Sequence, residues 1–277
     1  RNVCENLARL GLPVRLITTV GEDMYGEMIR SWCQSCGIIT GSFVTLPGKN
    51  SSSYVSIHRN DGEMAVAISD MRIIQDLTPA RLEPMRDKLE NAGAIVVDGC
   101  LPQETMRYII RTYGARVPVF ADPVSTAYAR RLRPVMRGID TIKPNRLEAE
   151  ILSGRTIRCE ADYFRAAEGI LAQGVRRVII SAGSRGCYYA DNMGQRLWGR
   201  TRPLQQVENA TGAAAVQSSC RASAAAASTA RYPAENTFTA VMAVTRPFSS
   251  AAAGELHVFA DAVRDICLLY TSDAADD

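Results

Sequence analysis

Two short stretches decide the fold: Val-Phe-Ala-Asp-Pro-Val-Ser at residues 119–125 and Thr-Ile-Lys-Pro-Asn-Arg-Leu-Glu at residues 141–148. Each is an apolar segment that stops at a polar residue beside a proline, and the second leads into a helical pattern that starts near Leu147. Short apolar strands that alternate with helices predict a mostly parallel sheet covered on both faces. Asp122 would then end a parallel strand, where open α/β sheets bind their ligands.

The same alternation extends through the chain up to Gly212. Helical spacing of apolar residues predicts helices at 2–10, 24–36, 82–91, 104–113, 147–153 and 163–173. Apolar runs predict further strands at 14–20, 94–97, 117–121 and 178–181. A β-meander at 38–46, 53–58 and 64–68 interrupts the pattern, and we expect it to form a small sheet that projects from the main layer.

Length and charge limit the class of protein. A chain of 277 residues suits one large α/β domain or two small ones, and a net charge of +3 is too small to argue for nucleic acid or a membrane surface. No apolar window reaches the ~18 residues of a membrane span, and the front lacks a signal-peptide pattern. We therefore expect a cytoplasmic protein with no nucleic-acid or membrane partner. The chain starts at Arg1 inside a helical pattern, so we also expect a fragment cut at its front.

The eight cysteines do not form the framework of a disulfide-rich fold. Cys33 and Cys36 form a lone C-x-x-C, and a zinc site would need a second ligand pair that His58 and His257 do not supply in spacing. We therefore expect reduced cysteines on a helix face.

The amino-acid composition and periodicity of the chain change after Gly212. Residues 213–230 are mostly alanine and serine, and residues 231–266 show weak helical spacing at best. We interpret 213–266 as an aberrant segment, out of frame or chimeric; a divergent alanine-rich helical end is the alternative. Residues 267–277 resemble the translation of a sequencing adapter, so 213–277 should pack poorly.

The sequence contains one candidate phosphate-binding segment. No G-x-x-x-x-G-K-[ST] loop is present. A helix N-terminus whose amides face an anion is the other solution, and Asn-Ala-Thr-Gly-Ala at 209–213 fits it. Small residues there would let the backbone approach a phosphate closely.

Taken together, Asp122-Pro123, the Lys-Pro-Asn-x-x-Glu run and the Ala-Thr-Gly-Ala segment resemble the PfkB, or ribokinase-like, family of sugar and nucleoside kinases. The spacing of Asn2, Gly11 and Gly21 is similar to the family's first signature. The resemblance covers residues 1 to about 213. It implies a three-layer α/β/α domain at 1–212 with a β-lid at about 38–68.

The resemblance also implies roles for particular residues. Asn2 would contact the sugar hydroxyls; a helix N-cap is the alternative. Asn145 and Glu148 would organise Mg²⁺ and phosphate, Glu148 as the metal residue, unless they only form a capping box. A further set would border the adenine nucleotide, or else form a simple glycine hairpin: Ser181, Gly183 and Gly186.

Within the family, the residues at 62–71, 122–127 and 141–150 are similar to pseudouridine kinases in residue identity as well as in spacing. This implies ATP-dependent phosphorylation of the 5′-hydroxyl of pseudouridine, with ATP, Mg²⁺ and optionally a monovalent cation as cofactors. The lid would cover the ribose and form a homodimer surface. Alternatives are another sugar or nucleoside kinase of the family, or a catalytically dead fragment that binds nucleotide or only dimerises.

Two departures from the family bear on activity. The family's first strand, with its ribose-binding Asp, would lie before Arg1. The family's catalytic Gly-Asp should follow Gly212 and Ala213, which would form the anion hole, but Ala214 and Ala215 stand there. The resemblance therefore implies that the general base is replaced by Ala215.

Overall fold

The structure, a computed structural model, describes residues 1–9, 11–58, 64–199 and 241–245. Its α-helices are α1 (Asn2–Arg9), α2 (Met24–Ser35), α3 (Pro79–Leu82), α4 (Arg86–Glu90), α5 (Gln103–Tyr113), α6 (Thr126–Leu132), α7 (Arg146–Ser153) and α8 (Glu160–Leu171). Its strands are β1 (Val14–Gly21), β2 (Ile39–Leu46), β3 (Ser53–His58), β4 (Met64–Asp70), β5 (Ala92–Asp98), β6 (Val119–Asp122), β7 (Thr141–Ile142), β8 (Arg177–Ser181), β9 (Cys187–Asp191), β10 (Arg196–Gly199) and β11 (Val241–Thr245).

The main sheet has nine strands in the order β10-β9-β8-β7-β6-β5-β11-β1-β2. Strands β5 to β8 are parallel neighbours, and β1 and β2 form a second parallel pair. Strand β11 runs antiparallel between β1 and β5, so β1 and β5 point the same way. The carboxyl ends of β1, β2 and β5 to β8 therefore all meet one edge of the sheet.

Side chains that alternate along the strands build a core on each face. Ile17, Ile95 and Val97 pack into a large cluster with residues of α3 to α8. Leu16 and Val96 point to the other face and pack with residues of α1 and α2. Because successive strand residues face opposite sides, both faces of the central strands are apolar and both must be covered. The predicted three-layer α/β/α fold is confirmed.

The prediction of the lid was wrong at its first strand. Strand β2 pairs in parallel with β1 in the main sheet, and only β3 and β4 form a separate two-stranded sheet, which we call the lid. Residues of β2 alternate between exposed and buried, a pattern that an edge strand shows in either kind of sheet. The helix α2 carries the chain back to the β1 edge, which makes the pair parallel.

Other helix and strand assignments also differ from the predicted ones, for local reasons. The helix predicted at 82–91 is divided into α3, a 3₁₀ turn at Glu83–Met85 and α4, because Pro84 has no amide to donate to a regular α-helix. Sequence reasoning did not predict α6 or the β9–β10 hairpin. Weak helical spacing was expected over 231–266, but residues 241–245 form strand β11.

The residues that the structure describes contain no helix long and apolar enough to cross a lipid bilayer.

Candidate functional site

The carboxyl ends of β5 and β6 bring two acidic side chains together. Asp98 and Asp122 are register partners, and the Gly99 amide donates to the Asp122 carbonyl at 2.8 Å. Burial is the main cause that raises the pKa of Asp98 to about 6, and the nearby Asp122 carboxylate raises it further. The Cys100 amide, which donates to Asp98 Oδ1 at 2.9 Å, lowers this pKa and so opposes the shift. Asp98 thus holds its proton more tightly than an ordinary carboxyl.

The turn after Asp122 is strained. Val124 has a φ of 67°, a left-handed conformation that is unusual for a β-branched residue. Its amide donates to Asp122 Oδ1 at 2.9 Å, and Ser125 then caps helix α6 by accepting from the Tyr128 amide. Backbone strain of this kind is found disproportionately at functional sites.

At the end of β7, Asn145 and Glu148 form a complete capping box. Asn145 Oδ1 accepts from the Glu148 amide at 2.8 Å, and the Asn145 amide donates to Glu148 Oε2 at 2.9 Å. Glu148 is buried, although it is a carboxylate. The capping interpretation is therefore correct as a description of geometry, and any role toward a metal would be added to it.

The end of β8 lies beside the end of β7, because the Ser181 amide donates to the Pro144 carbonyl at 2.9 Å. Ser181 is only 1% exposed, and its Oγ finds no hydrogen-bond partner among the described residues. Gly183 and Gly186 follow in a 3₁₀ turn with φ values of 56° and 95°. Buried hydroxyls are seldom left without a partner, so Ser181 Oγ is an exception that calls for an explanation.

The predicted site residues divide into three groups by location. Asn145, Glu148, Ser181, Gly183 and Gly186 lie together at the carboxyl edge of β7 and β8. Asn2 is the first residue of α1, half-buried, and its Oδ1 accepts from Arg1 at 3.1 Å. The remaining three lie outside the described residues: Gly212, Ala213 and Ala215.

Sequence reasoning did not single out Asp98 as a site residue. The signal was present, because Val97-Asp98-Gly99 ends an apolar strand at an acidic residue just as Asp122 does.

The C-x-x-C pair lies in helix α2 and at its carboxyl end. Cys33 is buried, and burial raises its pKa to about 11; burial likewise raises the pKa of Cys36 above its usual range. Neutral thiols are poor nucleophiles and poor metal ligands. In the part of the chain that the structure covers, no group of three His, Cys, Asp or Glu side chains could hold a metal.

Comparison with known proteins assigns the family. The model of the pfkB family carbohydrate kinases matches residues 1–213. A pseudouridine kinase of Escherichia coli (strain K12) is 37% identical over 214 residues, which are 77% of this chain and 67% of that protein. An uncharacterized sugar kinase of the same organism is 33% identical over 196 residues, 71% of this chain and 54% of that protein.

Solved structures agree with this fold. A carbohydrate kinase from Agrobacterium tumefaciens has a TM-score of 0.58 at 25% identity, covering 69% of this chain and 60% of that one. An Arabidopsis thaliana ribokinase, solved with ribose and ATP, has a TM-score of 0.66 at 20% identity and covers 77% of this chain and 69% of that one. The chain belongs to the pfkB family of carbohydrate kinases.

The residues at this edge fit a nucleotide phosphate with a magnesium ion. The Ser181 hydroxyl lacks a partner among the described residues, the left-handed glycines allow close backbone approach, and α7 directs its first amides to the same edge. Because magnesium keeps several water ligands and shares the phosphate oxygens, Glu148, whose Oε2 accepts from the Asn145 amide, would act on the cation through its water shell.

Proposed function

We propose that the intact protein phosphorylates the 5′-hydroxyl of pseudouridine with ATP. The observation that carries this proposal is the meeting of the Asp122, Asn145 and Ser181 segments at one edge, with Ser181 Oγ buried and without a partner among the described residues. Similarity to a protein named pseudouridine kinase, at 37% identity, supports the choice of substrate.

The proposed roles follow from position. Ser181 would donate its hydroxyl hydrogen to a phosphate oxygen, and Gly183 and Gly186 would border the nucleotide. Glu148, held by its capping box with Asn145, would orient the water shell of Mg²⁺. The cation, when bound, supplies charge neutralisation for the transferred phosphoryl group. Asn2 would contact the sugar hydroxyls, and a monovalent cation is an optional further cofactor.

Loss of the general base would limit this particular chain. In the family pattern, the Gly212 and Ala213 amides would stabilise the anion and the next Gly-Asp would take the proton, but residue 215 is alanine. General-base catalysis contributes roughly 10²–10⁴-fold to rate. We therefore propose little or no turnover by this chain, with weak nucleotide binding retained, since the phosphate contacts do not require the missing carboxylate.

Measurement of ADP release with pseudouridine tests both statements. The variant combines Ala214→Gly with Ala215→Asp, and the matched control carries Ala214→Gly alone. We expect turnover roughly 10²-fold or more above the control only when the carboxylate is present. Equal turnover with and without it would contradict the assigned base. Turnover on fructose or adenosine but not on pseudouridine would retain the kinase and overturn the substrate.

The lid is proposed to cover the ribose and to join two copies of the chain. Val55 lies opposite Ile68, and Ile57 lies opposite Val66, so these four side chains share one face. They are 48–67% exposed, and we call this surface the lid face. An exposed apolar face of this kind favours contact with a second surface. A homodimer located in the cytoplasm completes the proposal.

A further inference from the structure

The lid is joined to the main sheet by two segments. The outgoing segment, residues 47–52, connects β2 to β3, and the returning segment, residues 71–77, connects β4 to α3. Both pass the carboxyl end of β1. How these segments are held decides how far the lid can move, because β3 and β4 pair with each other and not with the main sheet.

Ser51 ties the outgoing segment to the end of β1. Its Oγ accepts from the Gly21 amide at 2.9 Å and donates to Asp23 Oδ1 at 2.7 Å, and its own amide donates to Asp23 Oδ2 at 2.7 Å. Ser51 is only 5% exposed. Asp23 also accepts from the Gly26 amide at 2.7 Å as the N-cap of α2. One carboxylate therefore joins β1, α2 and the lid segment.

Partial burial alone would raise the pKa of Asp23, but the hydrogen bonds from Ser51 and Gly26 outweigh it and hold the pKa below its usual range. The carboxylate is thus charged at neutral pH. Hydrogen bonds to a charged acceptor are stronger than those between neutral groups, so this junction is well suited to fix a segment in place.

Close backbone approach makes the junction sterically demanding. A Cβ at Gly21 would lie 2.2 Å from the Lys49 carbonyl oxygen, and a Cβ at Gly26 would lie 2.4 Å from the Gly21 carbonyl oxygen and 3.0 Å from Ser51 Oγ. Only glycine fits at either place without movement of the backbone. Residues 49–51 therefore pack directly against the Gly-Glu-Asp-x-x-Gly stretch, at its two glycines and Asp23.

The returning segment is held by the same strand. Thr19 Oγ1 donates to the Ile73 carbonyl at 3.0 Å, and Ile73, Ile74 and Leu77 are buried. Lys49 and Asp76 then connect the two segments by an ion pair of 2.6 Å. The two sides of the lid are therefore anchored at Ser51 and at Ile73.

We infer that Asp23 is a positioning residue for the lid, acting through Ser51 to set the orientation of β3 and β4 relative to the carboxyl end of β1. The inference deepens the proposed function, because a lid that covers a nucleoside must be aimed at the edge where Asp98, Asp122 and Ser181 lie. Thr19, Ile73 and the Lys49–Asp76 ion pair hold the other side.

Hydrogen–deuterium exchange of the full chain, followed by mass spectrometry, tests this. We expect Ser51→Ala to speed exchange of the lid peptides 52–58 and 64–70 by roughly tenfold or more, while strands β5 and β8 are unchanged, because two hydrogen bonds of the junction are lost. Ser51→Thr keeps the hydroxyl and should restore slow exchange. The control Ile180→Val, a buried change in β8, should affect the main sheet and leave the lid unchanged.

Unchanged lid exchange in Ser51→Ala, or an equal rise in the lid and in β5, would overturn the inference, as would failure of Ser51→Thr to restore it. Adding pseudouridine separates the two proposals. If pseudouridine slows lid exchange in the parent chain while Ser51→Ala behaves like the parent, the positioning role falls and the substrate stands. If Ser51→Ala loosens the lid but pseudouridine has no effect on either chain, the positioning role stands and binding of pseudouridine by this chain is contradicted.

Discussion

At the scale of single residues, Asp98 is an acid of the site whose pKa is clearly raised. Its pKa is raised from 3.8 to about 6, so the folded state holds the proton more tightly than the unfolded state. The contribution of Asp98 to the free energy of unfolding should therefore be fully present below about pH 4 and should be lost as pH rises through 6. Asp98→Asn removes the charge and can still accept from the Cys100 amide. We expect the variant to gain up to about 3 kcal/mol in the free energy of unfolding at pH 8 and almost nothing at pH 4.

Urea unfolding at a series of pH values measures this difference. The matched variant Asp122→Asn removes the neighbouring charge and should give a smaller gain in the same direction, because it lowers the pKa of Asp98 without removing its charge. An equal gain for Asp98→Asn at pH 5 and pH 8 would show that ionisation of Asp98 does not destabilise the fold.

At the scale of elements, the lid is the part whose role depends most on its surface. Ile68, a residue of the lid face, is 67% exposed. If the lid face joins two copies of the chain, Ile68→Lys should convert a dimer to a monomer in sedimentation velocity, since an ammonium group cannot be buried there without a partner. Met193→Lys is the control, because Met193 is 85% exposed in the β9–β10 turn, away from the lid. An unchanged sedimentation coefficient for Ile68→Lys would exclude the lid face as the dimer surface.

At the scale of the whole molecule, β11 joins two parts of the main sheet. Ala243 pairs with Arg15 of β1 and with Ile95 of β5, so its backbone lies in a central strand. Proline there removes ladder hydrogen bonds, and we expect Ala243→Pro to lower the free energy of unfolding by about 3 kcal/mol or more. Ala127→Pro is the matched control, because residue 127 is exposed in the first turn of α6, where proline is tolerated.

Urea unfolding of the two variants gives a direct comparison. Equal stability of both would mean that β11 contributes nothing to the fold. That result would support the interpretation of residues 213–266 as an aberrant segment, an interpretation that is based on composition.

The sequence by itself determined the layers and the site edge. Apolar periods of two and 3.6 residues specify strands and helices locally. Parallel strands must end at the same edge, so Asn145, Glu148, Ser181 and Gly183 could be expected together at the ends of strands before any coordinates. The tertiary structure decided which strands pair. The alternating pattern of β2 suits the lid or the main sheet equally, and nothing near Val241 indicates a central strand. The same holds for the Asp98–Asp122 pair and for the Asp23–Ser51 junction, whose partners are 28 residues apart. Such contacts depend on chain segments that meet only after folding, and local patterns do not encode them.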